Sequence, residues 1–434
     1  MLRGDPKRTL EEDFGCSVML GVRRTTRDLP EAVLAAFQKD PGEIHRKRLD
    51  RFTVHDWRRC IHWLDTSGLA LYFLNRLTSL GVEKCVPVEV LGQLRQRLSD
   101  NRIRTRDLFD EFAIINDRFR KAGLRYVNLK GFSLVPDYCP DPSLRYQLDL
   151  DFLMSPSDAL ACCDILESFG YSATKHDERL VEFRAGMERV PSIRDLYKPK
   201  RRRSVEVHFA ISLPEKASAL LDRSRMHSID GLEFPVLSEV DMFLAQTLHL
   251  FKHFKAEWTR ISWLLEFRAF VTARRHNSSF WHEVHAVAAN LPQSILGLGV
   301  VTYLGTEAFG EFAPPALTEW SVDVLPRPVR LWLERYGRTV LLTDFPGTKL
   351  YLLLKNELSS DREPRRWITL RTLLPLHRPP QVAYVGRGPN GPRIRAVFDQ
   401  VRFVLFRLRF HVAESLRYLV EVRRWKRIIN SLSG

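Results

Sequence analysis

An α+β fold, a small mixed sheet with helical regions before and after it, is the architecture this sequence predicts, and three observations carry the prediction. Apolar residues recur with helical spacing up to about residue 122 and again beyond Pro214. Between those limits the period switches to the alternation of strands. Glycine and Ser-Pro signals fall where the period changes.

Residues 1 to about 50 read as a polar extension with one helical patch, LPEAVLAAF, from Leu29 to Phe37. Helical spacing then runs from Val54 to Gly81 and from Val86 to Leu98. It continues from Asn101 to Ala122 through Leu108, Phe112, Ile115 and Phe119, and Gly123 ends it. Leu124 to Leu129 alternate as a short strand that stops at Lys130-Gly131. The next strand carries Asp149 and Asp151, with Leu148, Leu150 and Phe152 on its other face. Ser155-Pro156 is a helix start, and Ala159, Cys162, Cys163, Leu166 and Phe169 form the inner face of that helix before Gly170.

Tyr171 to Thr174 and Leu180 to Phe183 read as further strands, followed by the basic loop KPKRRR from Lys198 to Arg203. Ser204 to Leu213 is the clearest strand: Val205, Val207, Phe209 and Ile211 share one face and leave Glu206 and His208 on the other. Beyond Pro214 the pattern returns to helices, among them Glu239 to Lys255, Trp258 to Arg275 and Trp281 to Ala289. RGPNGP, residues 387 to 392, reads as a linker. A basic amphipathic helix follows from Arg393 to Ile429. Its stripe of Ile394, Val397, Val401, Leu408, Val412, Leu416 and Leu419 is expected to pack onto the preceding helices. The expected divisions are therefore a polar extension (1–50), a helical N-terminal region (51–122), a sheet-containing core (123–213), a helical domain (214–360) and a basic, largely helical C-terminal segment (361–434).

The chain has 434 residues, too many for one ordinary core, and an apolar share of 44%, that of a globular protein. Its six cysteines, Cys16, Cys60, Cys85, Cys139, Cys162 and Cys163, form no CxxC pair, which argues against a zinc cage or a disulfide framework and for a reducing compartment. The N-terminus has no apolar run of the signal-peptide kind, and no segment is apolar enough to span a bilayer, so a cytoplasmic location is expected. The net charge of +15 is concentrated at one end: residues 361 to 434 hold 16 Lys and Arg against 5 Asp and Glu. Such a segment attracts an anionic partner, a nucleic acid or a membrane surface.

Two carboxylates forced side by side on one strand face repel unless a cation separates them, so Asp149 and Asp151 suggest a hard divalent ion held by oxygen. Glu206, on a strand of the same layout, would complete a three-carboxylate cluster if the two strands are neighbours. Such a cluster suits phosphoryl chemistry with Mg2+ or Mn2+. Asp149, Asp151 and Glu206 are thus the expected metal-holding and catalytic residues. Lys130, Gly131 and Arg145 are the expected phosphate-binding ones, the glycine letting the backbone come close and the two cations adding positive charge. His208 shares the face of Glu206, either contacting substrate or hydrogen-bonded structurally. His249 and His253 lie one helical turn apart but lack the glutamate of the HExxH zinc pattern, so they read as packing or cleft-lining residues.

LKG at Leu129 to Gly131, Arg145 before the D-x-D strand, Phe169-Gly170-Tyr171 and VEVH at Val205 to His208 together resemble the "nucleotidyltransferase family protein" branch of the polymerase-beta-like superfamily. The resemblance is strongest over residues 105 to 215. It continues more weakly where HLFKH, His249 to His253, precedes a helix containing Trp263. It implies an incomplete mixed sheet with a helical domain closing a cleft. It also implies transfer of a nucleoside monophosphate from a nucleoside triphosphate such as ATP to an unidentified hydroxyl acceptor, with release of pyrophosphate. The wider superfamily grips the triphosphate with Gly-Ser; here Lys130-Gly131 stands instead, the form expected within this branch. The alternative expectation is a catalytically weak or inactive module that binds nucleotide or polyanion through the basic C-terminal segment.

Overall fold

A computed structural model of the chain describes residues 25–38, 48–176, 180–185, 196–199, 203–209, 214–291, 293–358, 370–374 and 393–433. Much of the expected polar extension, half of the KPKRRR loop, Ile211 and the RGPNGP linker lie outside them. The helical patch near the N-terminus is a helix, α1 (Thr25–Ala35), which buries Leu29, Val33 and Leu34.

Two helices follow, α2 (Val54–Ser67) and α3 (Ala70–Leu80). Thr53 and Asp56 form a reciprocal capping box at the start of α2, and Gly68, at φ 77°, ends it. The two helical stretches expected between Val86 and Ala122 are one continuous helix, α4 (Val88–Lys121). Nothing between Leu98 and Asn101 breaks helical geometry, and the buried set continues across the join through Leu94, Asn101, Arg104 and Leu108.

The sheet has seven strands: β1 (Tyr126–Asn128), β2 (Asp149–Met154), β3 (Tyr171–His176), β4 (Leu180–Ala185), β5 (Arg203–His208), β6 (Arg225–Ile229) and β7 (Leu232–Val236). Their order is β3-β4-β5-β2-β1-β7-β6. β2 runs parallel to β5, and β1 parallel to β7; the remaining neighbours are antiparallel, so the sheet is mixed and the fold is α+β. One helix, α5 (Pro156–Ser168), joins β2 to β3, capped by Ser155 as its sequence requires.

Leu150, Phe152, Val205 and Val207 are all buried, as the alternation predicts. Phe152 meets Phe119 of α4 at a ring separation of 5.2 Å, and Phe112 of α4 packs against Phe132 and Phe234. The apolar face of the sheet is thus closed by α4, and the face carrying Asp149, Asp151 and Glu206 is turned the other way.

The return to helices expected at Pro214 begins there, with a short helix over Pro214–Asp222, and is then interrupted by β6 and β7, a hairpin turning at Asp230 (φ 49°) and Gly231 (φ 81°). Asp-Gly with both residues at positive φ is the favoured two-residue hairpin turn, and its twist suits the strands it joins. After β7 come α6 (Glu239–Phe254), α7 (Ile261–Ala273), α8 (Ser278–Ala289) and α9 (Ser294–Phe309). A C-terminal helix, α10, spans Arg393–Ser433.

The face that α10 buries is not the expected one. Val401, Leu408, Val412, Leu416 and Leu419 are exposed, whereas His411, Tyr418 and Trp425, spaced by seven, are buried. The side chains of Ile394 and Val397 lie outside the described residues. Trp425 packs beside Tyr336 and donates to Glu357 at 2.8 Å, while Glu414 accepts from the Thr348 hydroxyl at 2.6 Å and from the Lys349 amide at 3.0 Å. Specific polar partners for the tryptophan and the glutamates outweigh the larger count of leucines and valines on the other face.

Candidate active site

The carboxylates meet because of register. Asp151 lies directly opposite Glu206 in the parallel β2–β5 pair, and Asp149 lies opposite Ser204. In parallel strands, opposed residues point to the same side, so Asp149, Asp151, Glu206 and His208 share one face. Asp151 is fully buried, while Asp149 and Glu206 are half-buried.

Like charges this close need a counter-charge, and two side chains supply it. Lys130 Nζ stands 2.6 Å from Asp151 Oδ1, and His208 Nε2 lies 3.2 Å from the same oxygen and 3.4 Å from Glu206 Oε2. Ligating atoms of Asp151, Glu206 and His208 all lie within 4.8 Å of one another, a grouping compact enough for one metal ion.

The charge pattern separates the two aspartates. Burial, together with the negative charges of Asp151 and Glu206, pushes the Asp149 carboxyl above the ordinary carboxylate range. Burial acts the same way on Asp151, but Lys130 and His208 outweigh it and hold Asp151 below that range. Burial would also lower Lys130 and His208, yet the neighbouring carboxylates raise both above their usual values. The cluster therefore carries a carboxylate firmly ionised beside one reluctant to ionise, the arrangement that an added cation would relieve.

Lys130 reaches this face because β1 ends there and the backbone turns. Gly131, at φ 67°, opens a 3-10 turn over Gly131–Leu134. A Cβ at Gly131 would fall 2.1 Å from Gln147 Nε2, which itself donates to the Asp149 carbonyl at 2.8 Å. The space that a side chain at position 131 would need is thus taken by Gln147. No spacing points to this, since Gln147 sits in no recognisable motif.

Arg145 is placed differently from expectation. Its guanidinium is buried against Glu266 of α7, Nε to Oε1 at 3.2 Å, and not against either aspartate. Tyr72 donates to the same Glu266 oxygen at 2.9 Å. Burial alone would lower the guanidinium pKa; the Glu266 charge instead raises it. Asn101 and Arg104 of α4 hold the surrounding loop through the carbonyls of Ser143, Arg145 and Gln147. Glu266 escaped the sequence reading, although a single glutamate inside the apolar run ISWLLEFRAF is a legible signal for a buried partner.

On the opposite side of the cluster, Gln246 of α6 donates to the Leu129 carbonyl at 3.0 Å and sets that helix against the Lys130 turn. His249, one turn further along, is near enough for Lys130 and Asp151 to influence its titration. His253 and Trp263 complete a triangle of rings with it, at separations of 4.7, 5.0 and 4.7 Å. The two histidines thus pack against each other and against Trp263, the packing half of what was expected of them.

The family model described as "Uncharacterised nucleotidyltransferase" matches residues 53–296, more than half of the chain. The crystal structure of an antigenic nucleotidyltransferase-like protein from Paracoccidioides brasiliensis is similar at 11% identity and a TM-score of 0.28, covering 48% of this chain and 94% of that one. No curated protein matches.

Proposed function

The chain belongs to the nucleotidyltransferase family matched over residues 53–296, and from that premise we propose that it moves a nucleoside monophosphate from a nucleoside triphosphate to a hydroxyl acceptor, releasing pyrophosphate. The observation that carries this reading is the register of Asp151 opposite Glu206, with Asp149 on the same face. Asp149, Asp151 and Glu206 would hold Mg2+ or Mn2+, a hard-ion choice consistent with three carboxylate donors. When bound, such an ion neutralises phosphate charge and favours the ionised acceptor hydroxyl.

Lys130, already poised beside Asp151, supplies the positive charge for the phosphates. Glu206, the more accessible of the opposed pair, faces the acceptor and helps to take up its proton. His208 bridges Asp151 and Glu206 and fixes the orientation of both carboxylates. Arg145 and Gly131 act one step removed: Arg145 anchors the loop before β2 to Glu266, and Gly131 makes room for Gln147. Cys60, Cys139, Cys162 and Cys163 are free thiols, which supports a cytoplasmic, reducing setting. Among the described residues no helix is long and apolar enough to cross a membrane.

The test is incubation with each labelled triphosphate, Mg2+ or Mn2+ and a cell extract, followed by asking which molecule retains the label. Label is expected to transfer with the wild type and not with the Asp149→Asn, Asp151→Asn double variant. No transfer under any combination, or transfer that survives the double substitution, rejects the reading.

A second reading rests on α10. Its outward face carries Val404, Leu405, Leu408, Leu416 and Leu419. Arg409, Arg423 and Arg427 are exposed on the same helix, whose two glutamates in this stretch, Glu414 and Glu421, are engaged inward. An apolar stripe flanked by arginines suits an anionic membrane surface better than nucleic acid, which offers the stripe no apolar phase. Co-flotation with phosphatidylserine vesicles but not phosphatidylcholine vesicles, lost in Leu408→Glu with Leu416→Glu, is the expected result. Equal behaviour of both vesicle types sinks it.

A further inference from the structure

The wall facing the carboxylates across the Lys130 turn is built from rings and carries little charge of its own. Arg260 is the exception, and its guanidinium carbon lies over two rings, 4.4 Å from the Tyr146 centroid and 5.2 Å from that of Trp263. Tyr146 adjoins Arg145, so a continuous surface runs Tyr146, Arg260, Trp263, His253, His249 and ends beside Lys130. All but Tyr146 are only half-buried.

His249, His253 and Arg260 keep polar atoms without a hydrogen-bond partner among the described residues. Neither His249 nor His253 makes a hydrogen bond among the described residues; their described contacts are with each other and with Trp263. Arg260 Nε is buried without a hydrogen-bond partner. Burial and the neighbouring cations keep both imidazoles neutral, His249 down to about 2 and His253 to about 4. A neutral imidazole offers one donor and one acceptor and attracts no phosphate. The charged work is left to Lys130, and what remains is a flat surface with unfilled hydrogen-bonding capacity at its edge.

We infer that this wall is the nucleobase site, with Trp263 and Arg260 stacking on the base and His249 and His253 reading its edge. The inference rests on the nucleotidyl-transfer reading and adds to it the means by which the protein selects a nucleoside triphosphate over bare triphosphate. Flat π surfaces and guanidinium planes are the groups on which bases stack, and an unpaired donor or acceptor at the rim is what distinguishes one base from another.

The test compares binding of each nucleoside triphosphate with binding of inorganic tripolyphosphate to the full chain, in Mg2+, by calorimetry. The wild type is expected to bind at least one nucleoside triphosphate more tightly than tripolyphosphate. Trp263→Ala should weaken that nucleotide by about tenfold to a hundredfold, the usual worth of one stacked base, and leave tripolyphosphate unchanged. Trp263→Phe should keep most of the difference, and His249→Ala should narrow the preference among bases. Equal wild-type affinity for nucleotide and tripolyphosphate overturns the base site alone, as does loss of both ligands together in Trp263→Ala. If the wild type binds neither ligand, the nucleotidyl-transfer reading itself falls, and the base site with it.

Discussion

Replacing Lys130 by alanine removes the cation closest to Asp151 and tests the electrostatics of the cluster directly. The ammonium stands 2.6 Å from a carboxylate whose side chain is 1% exposed, while Lys130 itself is 20% exposed. At an effective dielectric of about 20, the attraction at that distance is about 6 kcal/mol. Part of it offsets the cost of drawing the ammonium out of water, and breaking a buried pair by deleting one partner typically costs about 3 to 5 kcal/mol. His208 Nε2 remains 3.2 Å away and retains some of the stabilisation, so the expected loss is about 3 kcal/mol, at the lower end of that range. Urea unfolding in EDTA measures it. The same titration in Mg2+ or Mn2+ should return more stability to Lys130→Ala than to the wild type, because a bound ion supplies the missing charge. A loss under about 1 kcal/mol in EDTA would refute the claim that Asp151 depends on Lys130. A loss that no divalent ion reduces would refute the claim that an ion shares its site.

Gly131→Ala should cost about 2 to 3 kcal/mol: about 1 to 2 for a left-handed alanine, and about 1 for the Gln147 hydrogen bond displaced by the new Cβ. Adding Gln147→Ala should relieve the clash and leave the backbone cost, read as a partial return of the urea midpoint. Trp425→Ala should cost about 3 to 5 kcal/mol, and Leu416→Ala, on the exposed face of the same helix, no more than about 0.5; equal costs would reverse the assignment of its faces. The histidine wall sets a pH dependence. Both imidazoles ionise in the fold far below their ordinary value, so as pH falls through about 6.5 the unfolded chain takes up protons that the native chain refuses. The stability they contribute is whole above that value and is lost toward pH 4. His249→Gln with His253→Gln should shrink the drop in unfolding midpoint between pH 7.5 and pH 5, and an unchanged drop would show that the two rings titrate normally.

The strand alternation at Leu150, Phe152, Val205 and Val207 was readable because burial on one sheet face leaves a period-two trace in any chain. The pairing of Asp151 with Glu206 was readable only as a condition, since strand neighbours are fixed by long-range packing and not by local pattern. The Asp230-Gly231 hairpin carried its signal openly, in a turn dipeptide between two short strands. It is overlooked when Met226, Pro235 and the exposed positions beside them blur the alternation. The placement of Arg145 and Gly131 could not be read, because each is set by one other side chain, Glu266 or Gln147, whose approach no spacing encodes. The C-terminal helix shows a further limit. Counting apolar residues chose the face rich in leucine and valine, but the protein buried the face that carries Tyr418, Trp425 and inward-bonded glutamates.

The hairpin that follows Asp222 has a practical consequence for anyone cutting the chain. β1 lies between β2 and β7, so the strand bearing the approach to Lys130 is completed from downstream of the residues that carry the three carboxylates. A fragment ending near residue 213 would keep Asp149, Asp151 and Glu206 while baring the hydrogen-bonding edge of β1, an invitation to pair with another copy. It would also strand Arg145 in an apolar setting with its Glu266 partner removed. Such a fragment would collect in aggregates and say nothing about catalysis, so the shortest piece worth expressing runs through α7.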